Sequence, residues 1–575
     1  MNQTFGRVRR VCGPLVDVDL SAPVAMNETV WLGTEGIPGE VVAVRDDIAT
    51  VQAYEDTGCL APKAVVRTGG SPLSAPLGPG LLGGVFDGLL RPLSDAPDFL
   101  GRGTAAPSFG SRPWSFDPLA TVGARVGPGD ELGVLRDSRP VKHPVLVPPT
   151  LAGELEYLAP EGRYPAETVI ARVAGQPVHM AQPWPVRRPR PVRNRLEQTA
   201  PLHTGQRVLD LLFPVPRGGS AAVPGGFGTG KTVLLQQVAK WCDADVIVYI
   251  GCGERGNEMA EVVAELLSLT DPRSGGRLAD RTVVIANTSN MPMMAREASI
   301  HTGMTVAEYF RDMGLHVVLI ADSTSRWAEA LREFASRNRE LPAEEGYPAG
   351  LASALAAFYE RAGVVETLGG RIGSVTVVGA VSPPGGDLTE PVTAYTERFV
   401  RCRWTLDRDL AYARHYPSVS WSGSFCRDAE TIGAWHAAHG DRAWWARRER
   451  LTTVLSEADR LSALAELVGT TALPPHERVI LLGGRLIREA VLQQSALSAT
   501  DAHCTTAKTV ALAEAVIAVI DAAQTAVTTG VPAADVEGAD YSPLVRAREE
   551  SGPDDVEGVR ARRDVVLERL KELAS

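Results

Sequence analysis

Eight consecutive residues of this chain have the composition and spacing of a phosphate-binding loop. They follow the pattern GxxxxGK[ST] and are Gly225, Gly226, Phe227, Gly228, Thr229, Gly230, Lys231 and Thr232. Glycines let consecutive backbone N–H groups turn toward phosphate oxygens, and the helix expected near Lys231 adds its positive N-terminal end. Lys231 is predicted to reach the β- and γ-phosphates, and the Thr232 hydroxyl to ligate Mg²⁺.

Two carboxylates follow strand-like segments and could act on the same chemistry. Asp322 ends the apolar run 316–321, where a carboxylate at the end of a buried strand is typical of a metal-binding edge. Glu254 lies just beyond the run 246–250 and could polarise water for in-line attack, which phosphoryl transfer requires. From spacing alone, Glu254 could equally be an N-cap or first-turn acid of the next helix.

Two arginines and two aromatic residues are weaker candidates. Arg255 and Arg296 could contact the γ-phosphate, although an isolated arginine is more often a surface or ion-paired residue. Phe227 and Tyr416 could each place a ring against adenine, although most aromatic side chains fill cores.

Alternating strands and helices surround these residues. Apolar runs of strand length occupy 246–250, 282–286, 316–321 and 375–380, and helical patterns occupy 232–242, 258–267, 305–313 and 349–361. Continuous apolar strands alternating with helices predict a parallel sheet that is buried on both faces.

The rest of the chain predicts a multidomain α/β protein. Its expected parts are an N-terminal β-barrel (1–70), a linker or start of the nucleotide-binding domain (71–113), a separate β-rich module (114–186), a phosphate-loop domain with a mostly parallel sheet (187–430) and a helical C-terminal domain (431–575). Whether the acidic stretch 530–558 is ordered stays open.

Composition excludes several classes of protein. The chain has 575 residues, 58 of them basic and 69 acidic, and its net charge of −11 disfavours a nucleic-acid coat or a membrane-surface anchor. No window approaches about 18 uninterrupted apolar residues, and Met1–Arg10 lacks an apolar segment, so we expect neither a membrane span nor a signal peptide. Seven dispersed cysteines without a CxxC pair favour free thiols in a reducing cytosol.

Four further blocks make the chain resemble a known family. They are residues 248–259 (VYIGCGERGNEM), 285–292 (IANTSNMP), 322–332 (DSTSRWAEALR) and 381–387 (VSPPGGD), and segments 77–93 and 204–223 match as well. Together with the phosphate loop, they resemble the catalytic A subunit of the V/A-type rotary ATPases over nearly the whole chain.

The resemblance implies a fold and a set of roles. It implies a RecA-like central domain, an inserted "bulge" module, ATP and ADP as ligands, and Mg²⁺. It assigns Lys231, Thr232 and the adjoining Val233 to nucleotide binding, with Thr232 and Asp322 on the metal side (Asp322 directly or through water). It makes Glu254 the residue that activates water, Arg255 and Arg296 sensors of the γ-phosphate, and Tyr416 an aromatic neighbour of adenine.

The resemblance also implies partners. A non-catalytic B subunit would supply an arginine finger in trans within an alternating three-plus-three ring, and central and peripheral stalks would connect the ring to a membrane sector that moves protons or sodium ions. The chain would lie at the cytoplasmic face of the membrane as a peripheral part of this complex, and no nucleic acid is expected.

Four positions depart from the family pattern. Gly226 stands where proline or alanine is usual, and Thr229 where a smaller residue is common; both preserve a small or flexible loop. Leu497 stands where relatives have phenylalanine, and Ser495 where they have asparagine, which weakens the expected adenine contacts.

Three alternatives are weighed against this interpretation. A Rho-like, RNA-dependent hexameric motor also joins a β-barrel to such a core, but the net charge of −11 opposes it. A non-catalytic regulatory protein of the same fold would not need Glu254. Export-apparatus ATPases of secretion systems lack the inserted module.

Overall fold

The structure, a computed structural model, describes residues 3–94, 103, 112–136, 141–338 and 340–574. The chain forms two compact units that alternate along the sequence. The first contains the chain up to Glu197, Ala244–Val381 and Pro391–Phe399, and the second contains Gln198–Asp243, Ser382–Glu390 and the chain from Val400. Within the predicted segment 71–113, residues 95–102 and 104–111 lie outside the described residues.

Six antiparallel strands close a barrel at the start of the first unit and confirm the predicted N-terminal β-barrel. They are β1 (Gln3–Cys12), β2 (Leu15–Leu20), β3 (Glu28–Leu32), β4 (Ile37–Arg45), β5 (Ile48–Ala53) and β6 (Val65–Pro72), in the order β1-β2-β5-β4-β3-β6. Alternate residues such as Val16, Val18 and Val51 point into a buried core, as the two-residue period of a strand requires.

The predicted β-rich module is present in the same unit. After β7 (Ser74–Leu77) and β8 (Val85–Phe86) come β9 (Pro113–Pro118), β10 (Arg125–Val126), β11 (Glu131–Leu135), β12 (His143–Leu146), β13 (Gly153–Leu158), β14 (Gly162–Pro165), β15 (Val169–Val173), β16 (Gln176–His179), β17 (Gln182–Pro185) and β18 (Asn194–Leu196). Two four-stranded antiparallel sheets form, β10-β13-β15-β16 and β12-β11-β9-β14, and β17 returns to pair with β7.

The second unit begins with the elements that carry the phosphate loop. These are α1 (Arg207–Leu212), β19 (Ser220–Pro224) and α2 (Lys231–Trp241). Every residue of β19 is buried, so the strand anchors the start of the loop.

A parallel sheet with helical connections forms the centre of the first unit, as predicted. Its elements are β20 (Val246–Cys252), α3 (Gly256–Ser268), β21 (Thr282–Asn287), α4 (Met293–Asp312), β22 (His316–Asp322), α5 (Thr324–Arg337), α6 (Leu351–Tyr359), β23 (Gly363–Glu366), β24 (Ile372–Val381) and α7 (Pro391–Phe399). The strands β24, β22, β20, β21 and β8 lie side by side and parallel, and β23 pairs antiparallel with β24 and with β18.

Helix α4 is much longer than the predicted segment 305–313. It starts at Met293, directly after Pro292, and is buried along nearly its whole length. The predicted segment lies within α4 but misses its first half, because polar residues there, including Glu297 and Thr302, conceal the helical period although they are buried.

Helices dominate the remainder of the second unit and confirm the helical C-terminal domain. The elements are β25 (Cys402–Arg403), α8 (Arg408–Tyr412), β26 (Phe425–Cys426), α9 (Ala429–Ala438), α10 (Trp444–Val468), α11 (Pro475–Ile487), α12 (Thr506–Thr528), α13 (Ala533–Gly538), α14 (Ser542–Glu550) and α15 (Val556–Ala574). Strand β25 pairs parallel with β19 and antiparallel with β26. The stretch 530–558 is ordered, because α13 and α14 bury Val536 and Leu544.

Among the described helices, α12 alone is long and apolar enough to cross a membrane by length and composition. Half of its most apolar window is buried inside the protein, with Leu512, Val516 and Val519 fully enclosed. A core helix passes the same criterion, so this is weak support for a membrane span.

Candidate active site

The phosphate loop of the second unit needs glycine at three positions. Gly228 and Gly230 have φ of +78° and +83°, a left-handed conformation that side chains rarely adopt. A Cβ atom on Gly225 would lie 2.8 Å from the Thr229 hydroxyl and 2.9 Å from the Leu406 Cβ atom. The loop geometry therefore depends on these glycines.

Gly226 and Thr229, two of the departures from the family pattern, both fit the loop. A Cβ atom on Gly226 would meet only the Gly386 Cα atom, at 4.0 Å, so the space does not demand glycine. The buried Thr229 hydroxyl donates to the Gly226 carbonyl at 2.8 Å, and the Thr229 carbonyl accepts from the Ser418 hydroxyl at 2.6 Å. The larger threonine thus adds a hydrogen bond across the loop.

Lys231 is the first residue of α2 and is only half-buried. Its ammonium group donates to the Gly225 carbonyl at 3.2 Å and to the Ser382 hydroxyl. The adjoining Thr232 is half-buried, and the first turn of α2 carries no acidic side chain. The positive helix end and the ammonium group therefore both favour an anionic ligand.

The residues expected near the base are more exposed. Phe227 and Leu497 are 94% and 99% exposed, and Tyr416 is 42% exposed. Tyr416 lies against the loop, since a Cβ atom on Gly230 would be 3.4 Å from its ring, and its carbonyl accepts from the Gln494 N–H at 2.7 Å. Val233 is also exposed, on the first turn of α2.

In the first unit, parallel strands bring Glu254 and Asp322 to one edge of the sheet. Gly251 of β20 lies opposite Asp322 of β22, and Glu254 follows β20 by two residues. Helix α3 has Arg255 as its N-cap residue and Glu258 as its first-turn acid. Glu254 is therefore neither of these, and the helix-capping alternative left open by the sequence does not apply.

Asp322 is buried and accepts a hydrogen bond from the Tyr249 hydroxyl at 3.2 Å. Burial, reinforced by the negative charge of Asp322, raises the pKa of Tyr249 well above its ordinary value. The phenol therefore stays protonated and acts as a donor to the carboxylate.

The two arginines differ in their surroundings. Arg255 is exposed, and its guanidinium group lies 3.6 Å from the Glu258 carboxylate. The Arg296 guanidinium donates to the Ser289 carbonyl at 2.9 Å, while its buried Nε atom has no hydrogen-bond partner among the described residues. Position 253 favours glycine, because its φ is +73° and a Cβ atom there would lie 2.7 Å from the Arg326 Cβ atom and 3.0 Å from the Arg296 side chain.

Several residues at these sites were missed by reasoning from the sequence. Ser382 contacts Lys231, and Tyr249 contacts Asp322. Arg326 was missed as well: burial lowers its pKa, but its hydrogen bonds with Glu329 and the nearby charge of Glu254 raise it above its ordinary value. The available signal for Ser382 was its position immediately after a buried parallel strand.

The donor chemistry fits a magnesium ion, although the described residues contain no cluster of three or more His, Cys, Asp or Glu side chains able to hold a metal. Mg²⁺ prefers hard oxygen ligands, and typically takes only one or two from the protein besides water and phosphate. The Thr232 hydroxyl and the Asp322 carboxylate are donors of that kind.

Four family descriptions match successive parts of the chain. They are the ATP synthase alpha/beta family β-barrel domain (residues 8–70), the ATP synthase alpha/beta subunit barrel-sandwich domain (109–187), the ATP synthase alpha/beta family nucleotide-binding domain (205–426) and the C-terminal domain of V and A type ATP synthase (433–536).

Relatives match over most of their length. The V-type ATP synthase alpha chain of Anaeromyxobacter dehalogenans (strain 2CP-C) is 52% identical over 508 residues, which cover 88% of each chain. The V-type ATP synthase alpha chain of Nitrosococcus oceani is 48% identical over 556 residues, which cover 95% of this chain and 94% of its own. The corresponding chain of the A-type ATP synthase from Thermococcus sibiricus is 47% identical and covers 92% of this chain and 93% of its own. This chain belongs to the family of V- and A-type ATP synthase alpha chains.

Membership in this family supports the ATP synthase interpretation over an RNA-dependent motor and over a regulatory role, and makes ATP and ADP the expected nucleotides. The assembled ATPase EscN from the enteropathogenic E. coli (EPEC) type III secretion system shares the fold, with a TM-score of 0.64, 20% identity, and coverage of 90% of this chain and 100% of its own.

Proposed function

We propose that this chain is the catalytic subunit of a V/A-type ATP synthase and interconverts ATP with ADP and phosphate, coupled through rotation to proton or sodium transport. The observation that carries the proposal is the phosphate loop, in which Lys231 is held at the start of α2, in a chain 52% identical to a V-type ATP synthase alpha chain.

Residues 225–233 and Tyr416 are proposed to bind the nucleotide. Lys231 exchanges its bonds to Gly225 and Ser382 for bonds to the β- and γ-phosphates, which are stronger because both partners are charged. Thr232 and Asp322 are proposed to hold Mg²⁺, which when bound neutralises charge on the phosphates.

Glu254 is proposed to accept a hydrogen bond from the attacking water and to orient it in line with the bond that breaks. Arg255 and Arg296 are proposed to stabilise the charge that develops on the γ-phosphoryl group. The exclusion of Glu254 from the cap and first turn of α3 supports this role, because it removes helix capping as an explanation for a carboxylate at this position.

The partners are proposed from membership in the V- and A-type ATP synthase family. The chain assembles with a non-catalytic B subunit that supplies an arginine in trans, in a ring connected by central and peripheral stalks to a membrane ion-translocating sector, at the cytoplasmic face of the membrane. We also propose the domain division 1–70, 71–113, 114–186, 187–430 and 431–575 for truncation studies.

The deciding experiment measures Mg²⁺-ATP hydrolysis by the chain alone, by the chain with its cognate B subunit, and by a Glu254→Gln variant with B. We expect activity only with B, and a loss of about 100-fold or more in Glu254→Gln, because a neutral amide polarises the attacking water far less than a carboxylate does and cannot take up its proton. Glu261→Gln is the matched control, since Glu261 is an exposed acid on α3.

Retention of nucleotide binding by Glu254→Gln separates loss of chemistry from loss of folding. Full hydrolysis by the chain alone would overturn the arginine in trans. Full activity of Glu254→Gln would overturn the role of Glu254.

A further inference from the structure

Two cysteines face each other across the strand pair β25–β26 of the second unit. Cys402 lies opposite Cys426 in the antiparallel register. The Arg427 N–H donates to the Arg401 carbonyl at 3.0 Å, so the hydrogen bonds flank the pair and leave Cys402 and Cys426 at a non-hydrogen-bonded position. At such positions Cα atoms are about 4.5 Å apart, within the range of about 4.4–6.8 Å that a disulfide spans.

The two thiols also point to the same side of the strands. Both Sγ atoms donate to the Pro214 carbonyl, Cys402 at 3.3 Å and Cys426 at 3.0 Å. Because they share one acceptor, the two sulfur atoms lie within a few ångströms of each other. A bond between them therefore needs only side-chain rotation.

The surroundings give the two cysteines different roles. Cys402 is fully buried, whereas Cys426 is half-buried and is the more accessible residue of the two. Burial raises the pKa of Cys402 well above its ordinary value, while the hydrogen bond from Cys402 lowers the pKa of Cys426. The accessible thiol is thus the better nucleophile, and the buried thiol stands next to it.

Some charged side chains around the two cysteines favour ionisation of the thiols, and others oppose it. Arg448 favours the thiolate of Cys426, whereas the carboxylate of Asp428 opposes ionisation of both thiols. The opposition is reduced because Asp428 is paired with Arg401, whose Nε atom lies 2.9 Å from its carboxylate.

We propose that Cys402 and Cys426 form a reversible dithiol–disulfide site that is oxidised by hydroperoxides. The Cys426 thiolate attacks a peroxide oxygen and forms an S–O bond, the O–O bond breaks, and the departing hydroxide takes up the proton that Cys426 released on ionisation, so that Cys426 sulfenic acid and one water form from hydrogen peroxide. The Cys402 sulfur then attacks the sulfenic sulfur, the S–O bond breaks, and the departing hydroxide takes the Cys402 proton as a second water. Two thiols lose two electrons to one peroxide, and an added dithiol reverses the change.

The site lies in the small sheet that carries the phosphate loop. Ala221 of β19 is opposite Cys402 in β25, and β19 runs directly into Gly225. On the other side, β26 leads into α9. Oxidation therefore places a covalent link between the strand beside the phosphate-loop strand and the chain that enters the helical domain.

The test is peptide mapping of the full-length chain after stepwise treatment with hydrogen peroxide, alkylation of remaining thiols and digestion without reduction. We expect a Cys402–Cys426 cross-linked peptide that dithiothreitol releases. In Cys402→Ser, Cys426 accumulates as a sulfenic acid that dimedone traps, and in Cys426→Ser, Cys402 stays reduced. Cys242→Ser, which removes another buried cysteine, leaves the cross-link unchanged.

Circular dichroism establishes whether each variant is folded. If a variant is unfolded, peptide mapping of the unsubstituted chain alone decides whether Cys402 and Cys426 form the disulfide. The proposal is overturned if the pair stays reduced at a peroxide dose that oxidises the exposed Cys12 and Cys59. It is equally overturned if Cys426 becomes linked to a different cysteine or to a second molecule. No ATP is involved, so the result is independent of the proposed catalytic function.

Discussion

The phosphate end and the base end of the candidate nucleotide site in the second unit are organised differently. At the phosphate end, Thr229 is held by hydrogen bonds to Gly226 and Ser418, and Lys231 by hydrogen bonds to Gly225 and Ser382. At the base end, Phe227 and Leu497 extend almost fully into solvent. The phosphate end is thus preorganised by the protein's own bonds, and the base end is not.

This difference indicates where binding energy is concentrated. Hydrogen bonds between charged partners contribute about 1.5–3 kcal/mol each, whereas an aromatic stacking contact contributes about 0.5–1.5 kcal/mol beyond the area that it buries. We therefore expect phosphate contacts to dominate affinity, and base contacts to adjust it by smaller factors.

Removal of the Lys231 ammonium group is expected to have the largest effect on binding. Lys231→Met keeps most of the length of the side chain but deletes about two charge-assisted bonds, so the affinity of the full chain for Mg²⁺-ATP should fall about 100-fold or more. Isothermal titration calorimetry measures the change. Lys240→Met, at the other end of α2, is the control and should bind normally. If the affinity of Lys231→Met for Mg²⁺-ATP falls by less than about threefold, phosphate contacts do not contribute more to binding than base contacts do.

Tyr416→Ala tests the base end. Loss of a ring contact should weaken ATP binding by about two- to tenfold, and should leave the binding of inorganic tripolyphosphate unchanged because that ligand has no base. Competition with a fluorescent nucleotide measures the affinity for ATP and the affinity for tripolyphosphate. Tyr412→Ala removes a nearby ring that is more exposed and should change neither affinity. Equal losses for both ligands would show that Tyr416 supports the loop and not the base.

Leu497→Phe should strengthen the base end. A ring at this exposed position adds a stacking surface, so ATP affinity should rise about threefold. Leu497→Ala should have no effect, because the present side chain is 99% exposed. The same calorimetric titration compares the two variants, and a weaker complex for Leu497→Phe would place the base elsewhere.

Gly226→Ala is expected to have the smallest effect. Its Cβ atom has room, so ATP affinity and thermal stability should stay within about twofold and about 0.5 kcal/mol of the original values. Gly228→Ala is the matched comparison, since it has similar open space but a φ of +78° and should lose about 1–2 kcal/mol of stability. Thermal unfolding measures the stability of both variants. Equal stability of Gly226→Ala and Gly228→Ala would show that the loop tolerates a side chain at a positive φ.

Much of the fold could be predicted from local patterns. The alternation of the first strands predicted the barrel, and the continuous apolar runs predicted the parallel strands β20, β21, β22 and β24. The start of α4 was missed because its polar residues are buried by other parts of the first unit, and the helices within 530–558 were left open because their apolar stripes are short.

The sequence by itself determined the phosphate loop and the acids that follow the strands, because these signals depend on neighbouring residues and on backbone geometry. Tertiary structure decided which side chains hold them in place. Ser382 is 151 residues from Lys231, and Ser418 is 189 residues from Thr229, yet each forms a hydrogen bond with its partner. The pairing of Cys402 with Cys426 is likewise a matter of strand register. Such contacts arise from how strands and loops are brought together, and no local pattern encodes them.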